Sequence, residues 1–144
     1  MHRLGLAGSA ALAILLGAAA PARGLSVTQA WMRVLIPPLP AAGYFTVANS
    51  GDVATVLTSA SSPACGQLML HRSVDASGIA RMDMVPSVTI PAHGTLAFAP
   101  GGYHLMCNNP ANSVVPGGQV PVTLQFQDGT TLRVDFAVYG PKGR

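Results

Sequence analysis

From residue 25 onward the apolar positions recur with a period of two, not 3.6, in short runs broken by Gly, Pro, Asn and Ser. Such runs, rich in β-branched and aromatic residues and separated by turn residues every 8–12 positions, are the signature of a sandwich or barrel. They fall at residues 26–34, 43–48, 54–60, 67–72, 79–84, 88–90, 95–98 and 103–107. Val120, Val122, Leu124 and Phe126 then alternate up to Asp128-Gly129, and Leu132, Val134, Phe136 and Val138 alternate away from it. An Asp-Gly pair between two alternating runs predicts a hairpin. Pro37-Pro38-Leu39-Pro40 forbids regular pairing and predicts an ordered loop. There are no internal repeats and no linker. The expectation is one all-β domain, a Greek-key β-sandwich or small barrel of about nine short strands.

The first residues change this picture only by being set apart. Met1-His2-Arg3 is followed by an uncharged apolar stretch, Leu4 to Ala20, and then by small residues through Gly24. That order predicts a secretory signal peptide over 1–24, cleaved after Ala22 or Gly24, and a single domain over 25–144. A membrane span needs about 20 apolar residues and a stop-transfer charge cluster, and no such cluster follows. No stable membrane insertion is expected after cleavage.

Charged residues are only 9% of the chain, so Ser, Thr, Gln, Asn and Gly must make up much of the surface. Two of the eight Lys and Arg residues, Arg3 and Arg23, lie in the leader, which leaves six cations against five acids. No basic face suggests nucleic acid, and no acidic run suggests a store of hard cations. The five Asp residues form no paired-carboxylate arrangement and no nucleophile–base order stands out, so an enzyme is not expected. Cys65 and Cys107 are an even pair in an exported chain, which suggests a disulfide. Spectator thiols remain an alternative, and so does a ligand role for Cys107, which directly follows Met106.

The chemistry gathers at Gly101-Gly102-Tyr103-His104-Leu105-Met106. On a strand, His104 and Met106 share one face and Leu105 takes the other. The Gly-Gly pair before them is expected to leave that face little covered. A single His-x-Met pair is as readily a satisfied histidine beside a core methionine. A second half-site is what gives it meaning. His71 lies on the run 67–72 and Met82 on the run 79–84, which returns after the Asp75–Gly78 turn, so a hairpin brings the two together. Two imidazoles and two thioethers then converge. Thioether sulfur is soft and neutral and prefers Cu(I), imidazole suits copper in either state, and a set without carboxylate or obligatory thiolate has little appeal for Zn, Ca or Mg.

The pattern His71-x10-Met82-x21-His104-x-Met106 resembles, spacing for spacing, the copper motif of the periplasmic PCuAC-type copper chaperones, also catalogued as a domain of formerly unknown function. Ala30-Trp31, Ala41-Ala42-Gly43-Tyr44 with Asn49 and Gly51-Asp52, Ser61-Ser62-Pro63, Ile90-Pro91-Ala92 and Pro100 to Met106 extend the resemblance over nearly the whole mature chain. It implies a cupredoxin-like sandwich that binds one Cu(I) near its surface through His71, Met82, His104 and Met106. It further implies delivery of copper toward the Cu(A) centre in subunit II of cytochrome c oxidase, with a Sco-type thiol protein as a second partner. Some members carry Met directly after the first His; here Arg72 stands there, which is expected to put a positive charge beside the site.

Other candidates weigh less. Met69 and Met84 share the predicted faces of His71 and Met82 and read as a hydrophobic wall or as auxiliary ligands. Met32 reads as packing, His93 as an ordinary exposed histidine, Trp31 and Tyr44 as core or edge aromatics, and Tyr103 as structural. Two rival functions remain: an electron-transfer cupredoxin, which needs a cysteine thiolate on the copper, and a metal-free extracytoplasmic interaction module.

Overall fold

The protein, here a computed structural model, is described over residues 24–144, and the predicted leader lies outside the described residues except for Gly24. Ten strands follow in chain order: β1 (Leu25–Arg33), β2 (Ala41–Asn49), β3 (Thr55–Ser61), β4 (Cys65–Ala76), β5 (Ile79–Met84), β6 (Val88–Ile90), β7 (Gly94–Phe98), β8 (Tyr103–Pro110), β9 (Gln119–Phe126) and β10 (Thr131–Tyr139). Each of the ten runs read from the alternation forms a strand, against an expected total of about nine, and even the three-residue run 88–90 pairs with β3, Ile90 opposite Thr55.

All ten strands belong to one wrapped sheet with the order β5-β4-β8-β2-β1-β10-β9-β3-β6, and β7 also pairs with β2. Strand β2 serves two partners in succession. Its start, Ala41–Gly43, pairs with β8, and its end, Phe45–Asn49, pairs with β7. The pairing of β1 with β10 is parallel. The sheet curls until β3 packs against β4, which closes a two-layered core.

That core is filled by the positions that alternation singled out. Val120, Val122 and Leu124 of β9 are fully buried, as are Phe136 of β10, Leu105 of β8 and Met32 of β1. The Phe45 ring lies 4.4 Å from Phe98 and 5.7 Å from Phe136, centroid to centroid, and ties β2 to both flanks. The β9–β10 hairpin turns through Asp128-Gly129. Gly129 takes φ +87°, and the Asp128 carboxylate accepts a bond from the Thr130 N–H at 2.9 Å.

One irregularity decides what faces the site. The register of β1 on β2 shifts between Thr28 and Trp31, where Gln29 adopts φ +55°. A bulge of one residue exchanges the two faces of a strand beyond it. Ahead of it Leu25 and Val27 turn inward. After it Met32 and Val34 are buried, while Trp31 and Arg33 come to lie on the outer face beside Tyr44.

A candidate soft-metal centre on strands β4, β5 and β8

The candidate centre is written in the register of three antiparallel strands. Between β4 and β8, His71 stands directly opposite His104 and Met69 directly opposite Met106. Between β4 and β5, His71 stands opposite Met84 and Ser73 opposite Met82. Residues directly opposite one another share a face, and so do alternate residues along a strand. The outer face of β5-β4-β8 therefore carries two imidazoles and four thioethers. All four predicted residues are brought to this face. Met82 is diagonal to His71, and Met84 is its direct neighbour, because register, unlike alternation, cannot be counted along the sequence.

The imidazole pair sits deepest. The His71 and His104 rings are 5.6 Å apart at 73°. His104 is 3% exposed, against the open position expected from the Gly-Gly pair. Its cover is nonlocal: Tyr44 of β2 lies 6.5 Å away, and Trp31 packs on Tyr44 at 4.8 Å. Exposure enters instead from the edge strand β5, where Met82 is 60% and Met84 70% exposed.

The backbone fixes one imidazole. Gly101 takes φ +86°, a conformation that suits glycine, and the Gly102 carbonyl accepts bonds from the Ser73 N–H at 3.0 Å and from His104 Nδ1 at 3.2 Å. A carbonyl only accepts, so Nδ1 carries the proton and Nε2 keeps its lone pair. A hydrogen bond of this kind orients a ligating histidine and fixes its tautomer. His104 Nε2 and both ring nitrogens of His71 are buried with no hydrogen-bond partner. Buried polar atoms left in this state cost about 1–3 kcal/mol each, a cost that a ligand held by these nitrogens would offset.

The ring separation fits a shared ion. A metal about 2.0–2.1 Å from an imidazole nitrogen lies about 3.1 Å from the ring centroid, so two imidazoles on one ion have centroids about 5 Å apart at a tetrahedral angle and about 6.3 Å apart in line. The observed 5.6 Å falls between these limits. Burial, and then the charge His104 can carry, push the His71 pKa below its ordinary 6.5, which keeps the imidazole neutral and able to ligate at neutral pH.

The donor set excludes several alternatives. Among the described residues no three of His, Cys, Asp and Glu converge, so a zinc or hard-cation cage is absent there. Cys65 and Cys107 form a disulfide between β4 and β8, which removes both thiolates from the ligand set. Arg72 corrects an expectation. It lies on the opposite side of β4 from His71, with its guanidinium 5.7 Å from the Tyr103 ring. The cation on the outer face is Arg33, 5.2 Å from the Trp31 ring and 5.9 Å from Tyr44, aligned with Met106 across Ala42. Sequence reasoning missed it because the bulge at Gln29 sets its face. His93, at the far side of the fold, bonds Asp52 at 2.7 Å and takes no part.

The model of the family described as "Putative lipoprotein LpqE-like" matches residues 25–138. A putative lipoprotein of Leifsonia xyli, Lxx21020, is 35% identical over 118 residues, which span 81% of this chain and 70% of that protein. Among solved structures, the Cu(I) form of DR1885 from Deinococcus radiodurans is 36% identical, with 82% of this chain and 81% of that one covered and a TM-score of 0.62. The copper-bound PCuAC domain of PmoF2 has a TM-score of 0.68 at 21% identity, with 82% and 94% covered, and shares the fold.

Proposed function

The chain belongs to the LpqE-like family, and on that premise we propose that it is a periplasmic Cu(I) carrier that holds one ion through His71, Met82, His104 and Met106. The observation that carries this reading is the trio of partnerless, buried imidazole nitrogens on a face supplied with thioethers. The likeness to Cu(I)-DR1885 over four-fifths of both chains supports the choice of metal. All four ligands are neutral. Such a set leaves the charge of the ion uncompensated, which favours the singly charged Cu(I) over Cu(II). Two imidazoles inside and the Met82 thioether on an exposed edge also suit a carrier, since an acceptor can reach that sulfur without unfolding the sheet. The role is non-catalytic. The recipient we propose is the Cu(A) centre of cytochrome c oxidase subunit II, with a Sco-type thiol protein acting alongside.

A Cu(I) titration against a chromogenic chelator across pH tests the reading. Metal binding requires neutral imidazole, whereas a thioether has no proton to lose. His71 is held below 6.5, so it is neutral above that value in the free protein. Proton competition therefore begins only as pH falls through the lowered value. One equivalent should bind with level affinity above about pH 7 and then lose up to about tenfold per pH unit as pH falls through the lowered value of His71. Zero stoichiometry, or flat affinity to about pH 4.5, contradicts two histidine ligands. The metal-free fold should weaken over the same range. A depressed imidazole pKa contributes stability that is fully present above 6.5 and is lost as pH falls through the folded value.

A further inference from the structure

Two methionines on the same face remain without a role. A core methionine of this protein looks like Met32, which is fully buried. Met84 is 70% exposed on an edge strand and Met69 is half-buried, so neither is covered as a wall would be. Both stand at direct register positions, Met84 opposite His71 and Met69 opposite Met106. Both also line one cleft of about 230 Å³, where β5 ends and β3 crosses the exposed edge of β4. The rest of its lining, Thr58 and Ser59 among apolar side chains, supplies no charge. Met84 is thus open to solvent beside this cleft, whereas His104 is 3% exposed and neither imidazole lines it.

We propose that Met69 and Met84 form a second thioether pair, a relay through which Cu(I) enters and leaves the imidazole site by the β4–β5 edge. The proposal rests on the Cu(I)-carrier reading and adds a route to it. The step is ligand exchange by association. A relay thioether binds while Met82 or Met106 departs, His71 stays bound, and neither proton nor electron moves. Every sulfur is neutral, so the ion crosses without any change in the charge of its surroundings. A relay lowers the barrier equally in both directions and leaves the bound state nearly unchanged.

The test is stopped-flow transfer of Cu(I) between the protein and bathocuproine disulfonate, in wild type, Met84→Leu and Met69→Leu/Met84→Leu. Leucine keeps the apolar bulk and removes the sulfur, and Met84 is exposed enough that its single variant folds. The double variant should keep one-to-one binding and an affinity within about threefold, while uptake and release both slow by about tenfold or more. The single variant should slow both by a smaller and equal factor. Wild-type transfer rates in the double variant overturn the relay and leave the carrier reading intact. An affinity loss above about tenfold overturns it too, since the pair would then belong to the resting site. Failure of the wild type to bind Cu(I) overturns both readings.

Discussion

Replacing His104 with leucine should abolish tight Cu(I) binding while leaving the metal-free fold as stable as before, or more so. The imidazole is 3% exposed, and its Nε2 has no partner in the protein. Removing that nitrogen relieves a burial cost of about 1–3 kcal/mol, against which stands the loss of one ordinary hydrogen bond, about 1 kcal/mol, from Nδ1 to the Gly102 carbonyl. The net change in denaturant-unfolding free energy should lie between zero and about 2 kcal/mol of stabilisation. Loss of hydrogen-bonded support behind a ligand costs about 10–100-fold in metal affinity, so loss of the ligand itself should cost at least about 100-fold, as read by chelator competition. Stability that rises while affinity collapses is the mark of a residue kept for its chemistry. A variant that is less stable than the wild type but binds Cu(I) as tightly would make His104 a core residue.

Opening the disulfide should produce the opposite pattern. Cys65–Cys107 spans 42 residues of sequence and joins β4 to β8, the two strands that carry both imidazoles. Closing a loop of that length removes about 4 kcal/mol of chain entropy from the unfolded state, and removing a native bridge costs about 2–5 kcal/mol in practice. The Cys65→Ala/Cys107→Ala protein should therefore melt roughly 10 °C lower. Its Cu(I) affinity should change by less than about tenfold, because β4 and β8 remain hydrogen-bonded from Gln67 to Arg72 and neither sulfur reaches the site. A melting temperature equal to the wild type would show that the bridge contributes nothing. Affinity lost in step with stability would show that it positions the histidines.

These two outcomes divide the molecule along a line that alternation along the sequence already drew. Leu68 and Leu70 point into the core and Met69 and His71 out of it, as the period of two requires. The hairpin at Asp128-Gly129 and the burial of Val120, Val122 and Leu124 follow from the same local pattern. Three features were not legible. Alternation tells which way a side chain faces but not which residue lies across from it, so Met84 and not Met82 came to stand opposite His71. The bulge at Gln29 gives no compositional signal, yet it places Trp31 and Arg33 on the site's face. The burial of His104 depends on Tyr44, sixty residues earlier in the chain, and on a strand pairing no local pattern specifies.

The most direct test of a thioether–imidazole Cu(I) centre on this face is X-ray absorption at the copper edge of the protein loaded with one equivalent. The spectrum should show the edge of Cu(I), with sulfur and imidazole-nitrogen scatterers in comparable numbers, and the sulfur contribution should fall in Met82→Leu/Met106→Leu. A first shell of nitrogen and oxygen alone, or one unchanged in that variant, would contradict the site.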